Sequence, residues 1–196
     1  MRRTQRIWVA GAAAGVVLVG VTGCGSAGDK AAKPPKEPCA QVLPAELAAL
    51  GVTGQGRAQS TAAMASATSA QCLFQAATAG GAFFDMQWKS YGKTTTRTNG
   101  KKKSTSGTAN TQRQYGVERD GATRAVGPAA ALSGVGDEAV VSVAPPATAS
   151  AATQVRVVAR DGKKLVTVAY TGSVKDTAKV RDTLRAVAAR LLAAKS

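Results

Sequence analysis

Gln154 to Tyr170 reads QVRVVARDGKKLVTVAY. Two runs rich in β-branched residues flank Asp161-Gly162, and Asp-Gly between such runs is a strong signature of a type I′ β-hairpin. The next stretch is helical: Ser173 caps a helix running to about Ala194, with Asp176 in the place that completes a variant capping box. Val180, Leu184, Val187 and Leu191 make its apolar stripe, and Lys, Arg and Asp fill the other face, so this helix lies on a sheet.

Working back toward the N-terminus, Gly134 to Val143 (GVGDEAVVSV) is a glycine turn leading into a strand, and Ala144 to Thr153 is a Pro/Ala/Ser loop. Cys72 to Gln75 (CLFQ) and Ala82 to Trp88 (AFFDMQW) read as two more strands joined at Ala79-Gly80-Gly81. Phe84, Met86 and Trp88 alternate with Asp85 and Gln87, the pattern of a half-buried strand. Leu43 to Leu50 (LPAELAAL) reads as a short helix, with Pro44 in its first turn, Glu46 near the positive end of its dipole and Gly51 at its stop. Gly54 to Ala70 reads as loop. The order is helix, two strands, an irregular region, three strands, helix. It predicts an α+β domain: an antiparallel sheet of about five strands packed by a short N-terminal helix and a C-terminal amphipathic helix.

The irregular region is strongly basic. Lys89 to Arg124 holds nine Lys and Arg against Glu118 and Asp120. Thr94 to Thr111 has almost no apolar residue, so residues 92–112 are expected to form a flexible basic surface loop. Lys101, Lys102 and Lys103 are its sharpest feature. Lysine clusters attract anionic headgroups, although a solvated loop tip has the same composition.

At the other end of the chain, Met1 to Arg6 is basic, Ile7 to Thr22 is an uncharged apolar run, and Val21-Thr22-Gly23-Cys24 closes it. The run is short for a spanning helix and fits a secretory signal. The last four residues resemble a bacterial lipobox, with Val21 where Leu is usual. Cleavage before Cys24 would leave a thiol that takes a diacylglyceryl group; the alternative is an uncleaved anchor with an incidental cysteine. Arg2-Arg3 hints at twin-arginine export, but Gln5 and Arg6 replace the expected apolar pair, which favours the general secretory route. Residues 24–38 read as a disordered tether with an rms reach on the order of 20 Å, and 39–196 as a single domain.

Three cysteines are present. With Cys24 lipidated, Cys39 and Cys72 remain, and in an exported chain they are expected to pair, closing a loop of 33 residues. A redox or metal pair is the poorer reading, since there is no C-x-x-C and no third ligand. The chain has no histidine, which removes Ser-His-Asp and Cys-His catalysis and the commonest metal ligand. Formal charge is +15; removing Arg2, Arg3 and Arg6 leaves 23 basic and 11 acidic residues, net +12. Such a surface suits anionic lipid or wall polymer, or simply a solvated surface. Too few aromatics interleave the basic residues for nucleic acid.

Cys39 before a short helix (CAQVLPAELAALG), a second cysteine opening an aromatic strand, the Gly134-x-Gly-Asp-x-Ala139 turn, a hairpin and a closing helix resemble the actinobacterial lipoproteins of the domain of unknown function 3558. The chain is also similar to extracellular sensor-type domains of those bacteria. The resemblance covers about Cys39 to Leu192. It implies an α+β fold and an envelope location, and it offers no active site to carry over. The basic insert departs from the pattern.

Other motifs are weak. Ser90-Tyr-Gly-Lys93 matches the S-x-x-K of penicillin-recognising enzymes but lacks its partner motifs. Gly51 to Gly56 (GVTGQG) lacks the preceding strand and the Gly-Lys-Ser/Thr of a phosphate loop. Asp137-Glu138 alone is too few ligands for a cation site. The expected activity is therefore a non-enzymatic binding or sensing module of the cell envelope without cofactor. It would be anchored to the outer face of the cytoplasmic membrane and have an envelope protein, lipid or wall polymer as partner. The alternative is a His-independent hydrolase in which Asp85, Asp137, Glu138 or Lys93 converge.

Overall fold

The computed structural model describes residues 30–59, 66–76, 81–144, 148, 152–174 and 176–194. In chain order its elements are a 3-10 turn (Cys39–Gln41), α1 (Pro44–Ala49), β1 (Arg57–Gln59), β2 (Ala67–Gln75), β3 (Phe83–Tyr91), β4 (Thr94–Thr98), β5 (Lys101–Thr105), α2 (Gly107–Ala125), β6 (Ala129–Ala131), β7 (Glu138–Ala144), β8 (Thr153–Asp161), β9 (Lys164–Gly172) and α3 (Thr177–Ala193). The leader (1–23), Cys24 and the expected turn at Ala79-Gly80 lie outside the described residues.

β8 and β9 form the predicted hairpin and sit in the middle of a seven-stranded antiparallel sheet ordered β1-β2-β3-β9-β8-β7-β6. Its turn is displaced by one residue from the expected one. Asp161 pairs with Lys164, so Gly162-Lys163 are the two loop residues. Of the two, Gly162 alone takes a positive φ, 52°, so the turn is of the II′ kind and not the expected type I′, which needs positive φ at both central residues.

Alternation along the strands divides the side chains between two layers. Phe84, Met86, Trp88, Val155, Val157, Val166, Val168 and Tyr170 face one way and pack with Val180, Leu184, Val187 and Leu191 of α3. Val42, Leu50 and Val52, which flank α1, complete that layer. Glu46 ties α1 to α3: its carboxylate takes two 2.8 Å hydrogen bonds from Arg190 and a third from the Leu43 N–H. Burial would raise the Glu46 pKa, but these donors outweigh it and hold the carboxyl below its ordinary value.

The opposite face carries the largest departure from expectation. The expected sheet of about five strands has seven, and a third helix, α2, covers the second face. Tyr115 and Ala122 of α2 pack on Val158 and Leu165, with Tyr91 and Val140 alongside. The stretch 92–112, expected to be a flexible loop, is the separate β4–β5 hairpin and the start of α2. Part of Gly54 to Ala70 is strand as well, as β1 and the start of β2. α3 starts at Thr177, capped by Asp176 rather than Ser173, with the Asp176 carboxylate accepting from the Lys179 N–H at 3.0 Å.

Part of the stretch expected to be tether is bonded to the sheet. Ala32 donates its N–H to the buried Ser90 hydroxyl at 2.9 Å, and the Thr68 hydroxyl donates to the Ala32 carbonyl. Pro35 and Pro38 are buried. Cys39 is bonded to Cys72 in the middle of β2, with Cα atoms 5.2 Å apart. Residues 30–38 are therefore part of the packed domain.

Candidate functional site

The sequence-selected residues divide by what the fold does with them. Ser90 is buried at the end of β3, where its oxygen accepts from Ala32, so it is not presented as a nucleophile; Lys93 is exposed beside the hairpin. Gly56 lies against the sheet: a Cβ there would come within 2.6 Å of the Phe74 ring and 2.9 Å of the Cys72 sulfur. Close packing explains that glycine without a phosphate. Asp85 accepts from the Gln71 side chain at 2.9 Å on the α2 side of the sheet. Asp137 and Glu138 are both held by Arg160, at 3.1 and 3.0 Å. Asp137 also accepts from the Gly162 N–H at 2.9 Å, which fastens the β8–β9 turn to the start of β7. The hydrogen bond from Arg160 is the main reason the Glu138 carboxyl is held below its usual value. Among the described residues, no three acids or cysteines stand close enough to form a metal site.

Several ion pairs were not legible in the sequence because α2 was not. Glu118 of α2 bridges Lys89 of β3 at 2.9 Å and Arg156 of β8 at 3.1 Å. Burial, with the Glu118 charge nearby, pushes the Tyr91 phenol up to about 12. These groups clamp α2 to the sheet, and their spacing to each other across the sheet has no signature in a linear chain.

Lys101, Lys102 and Lys103 have a different setting. They form β5, and with Arg97 on β4 they are exposed. The hairpin turn is Asn99-Gly100, both with positive φ (51° and 76°), as a type I′ turn requires. Thr98-Asn-Gly-Lys101 is a strong hairpin signal that the polar flanks concealed, since there is no apolar alternation to frame it. Arg97 lies directly opposite Lys102, a like-charge cross-strand pair that disfavours the ribbon. Among the described residues no carboxylate is bonded to Arg97, Lys101, Lys102 or Lys103. The hairpin's base is secured: the Asn110 amide donates to the Gly92 carbonyl at 2.9 Å and to the Thr94 hydroxyl at 3.2 Å. An open groove of about 600 Å³ lies elsewhere, between residues 33–38 and β1, lined by Lys33, Pro35, Lys36, Pro38 and Gln59 among others.

Among the described residues no helix is long and apolar enough to cross a membrane. No family model matches the chain, and no curated protein matches it. Among solved structures, it is similar to the extracellular domain of PknH from Mycobacterium tuberculosis, at 9% identity and a TM-score of 0.44 over 82% of this chain and 98% of that one. A likeness at this level leaves the activity to be argued from the chain's own residues.

Proposed function

We propose that this chain is an extracytoplasmic lipoprotein of the kind that the resemblance to the domain of unknown function 3558 implies. It is cut before Cys24, held by a diacylglyceryl thioether on the outer face of the cytoplasmic membrane, and works there as a non-enzymatic binding or sensing module. The observation that carries this reading is the Cys39–Cys72 bond. It fastens the segment that precedes α1 to β2 of the main sheet, and such a bond persists where thiols are not kept reduced. The placement of the candidate hydrolase residues bears on the alternative. Asp85 is bonded to Gln71, Asp137 and Glu138 to Arg160, and Ser90 to Ala32, while Lys93 is exposed beside the β4–β5 hairpin, so these residues are engaged in separate parts of the fold.

Metabolic labelling with palmitate tests the anchor. The expected result is label on the wild-type chain and none on Cys24→Ala; equal labelling of the two would defeat the assignment. Titration of free thiols on the denatured, unreduced chain tests the disulfide, and two reactive thiols from Cys39 and Cys72 would count against export. Crosslinking in intact cells, with the lipid anchor in place, identifies an envelope partner.

A further inference from the structure

We infer that the β4–β5 hairpin is a membrane-docking finger, and that it lays Arg97, Lys101, Lys102 and Lys103 on the anionic phospholipids around the chain's own anchor. This rests on the lipid anchor proposed at Cys24.

Three observations point the same way. The first is position. Ala32 is bonded to Ser90 and Thr68, at the end of β3 and the beginning of β2. The hairpin leaves the sheet at that same end: Gly92 donates to the Ser66 carbonyl at 2.7 Å, and β4 begins at Thr94. The chain's route to Cys24 and the base of the hairpin therefore share one end of the domain.

The second is length. Seven residues lie between Cys24 and Ala32, and the eight Cα-to-Cα steps between them span at most about 28 Å. A five-residue strand is about 16 Å long. Only Thr94 and Thr105 of the hairpin are half-buried, and the rest of both strands is exposed, so the ribbon stands out from the body. An anchor confined to that radius keeps a ribbon of this length within reach of the headgroups.

The third is charge. Residues 94–105 carry four cations and no acid. Arg97 and Lys102 project from one face of the ribbon, and Lys101 and Lys103 from the other. Three acids of the neighbouring elements are engaged elsewhere: Glu118 with Lys89 and Arg156, and Asp137 and Glu138 with Arg160. Opposed like charges on an isolated two-stranded ribbon weaken it, and a surface of anions removes that repulsion. Wall polymers share this anionic chemistry; the proposed lipid anchor, which brings a bilayer to this end of the domain, is what favours phospholipid.

The test uses the lipidated protein reconstituted in bilayers, with an environment-sensitive dye on Thr98→Cys near the hairpin tip. One set of bilayers is phosphatidylcholine alone and the other contains phosphatidylglycerol. Each Lys or Arg near an anionic surface is worth about fivefold in partitioning, so four reach on the order of several hundredfold. The expected result is a dye shielded from aqueous quencher on phosphatidylglycerol and exposed on phosphatidylcholine, with shielding lost as salt is raised. Arg97→Gln with Lys101→Gln, Lys102→Gln and Lys103→Gln should abolish it, while Arg113→Gln with Arg119→Gln and Arg124→Gln on α2 should change it by less than about twofold. Amide exchange over residues 94–105 checks that the neutral variant keeps its hairpin. Equal shielding on both lipids, or none on either, overturns the inference. So does shielding by a soluble anionic wall polymer over phosphatidylcholine that phosphatidylglycerol does not reproduce. Failure of the anchor reads differently: the chain then washes off neutral bilayers, whereas failure of docking leaves it bound with its tip exposed.

Discussion

The molecule contains two hairpins with the same kind of local instruction and opposite surroundings. β8–β9 turns at Gly162-Lys163, and β4–β5 turns at Asn99-Gly100. In the first, Val155, Val157, Val158, Leu165, Val166 and Val168 are all at most 1% exposed. In the second, apart from Thr94 and Thr105, every strand residue is exposed. Turn chemistry closes either ribbon, but only burial couples one of them to the stability of the whole chain. An isolated ribbon is marginal in water and is free to be read by another surface.

The difference is sharpest for a charge placed in each. Val166→Asp puts an unpaired carboxylate in a fully buried layer and should cost more than about 4 kcal/mol, leaving no cooperative melt by circular dichroism. Thr96→Asp, opposite Lys103, should leave the melting temperature within the range of ordinary surface changes. Next in size is the covalent support that only the large sheet enjoys. Replacing Cys39 and Cys72 together by Ser should destabilise the chain by up to about 3.7 kcal/mol on the chain-entropy estimate, read by denaturant unfolding. Amide exchange in β4–β5 should not change.

The turns themselves come third. Gly162→Ala, at φ 52°, should cost about 1–2 kcal/mol of global stability. Gly100→Ala, at φ 76°, should raise exchange only over residues 94–105. Acid offers a gentler comparison. The Glu46 carboxyl is depressed in the folded chain, so its contribution is present above the unfolded carboxylate value of about 4.3 and is lost as pH falls through the lower folded value. Stability measured by denaturant should decline below about pH 4, and Glu46→Gln should flatten that decline. The basic hairpin has no carboxylate, so its local exchange, corrected for intrinsic rate, should not follow. The smallest effect is Arg97→Thr, which removes the opposed charge from Lys102 and should slow exchange in the ribbon by about 0.2–1 kcal/mol without moving the melt.

Where apolar periodicity was strong, the sequence sufficed: β3, β7, β8, β9 and α3 follow their alternation or stripe. α2 escaped because its buried positions are Gly107, Thr111, Tyr115 and Ala122, a helical spacing written mostly in small or polar residues. Ser106 at its cap and the Tyr115-to-Ala122 interval were the available clues. The β4–β5 ribbon escaped for a related reason, since Asn99-Gly100 was framed by Thr and Lys rather than by apolar residues. The lysines at 101–103 were visible as charge. Their pairing with β4, and their place beside the chain's approach to the sheet, depend on contacts between Ala32, Thr68 and Ser90, which are far apart in sequence.

Those contacts bear on how the protein would carry force. Tension arriving from the N-terminal side first loads the hydrogen bonds between Ala32, Ser90 and Thr68. Should they yield, the load passes along residues 33–38 to the sulfur bridge and into β2, a strand paired on both sides. α1 lies downstream of that bridge and is spared. Pulling from the N-terminal side is thus borne by a covalent rivet within the main sheet, and the rest of the chain can stay folded while residues 33–38 extend.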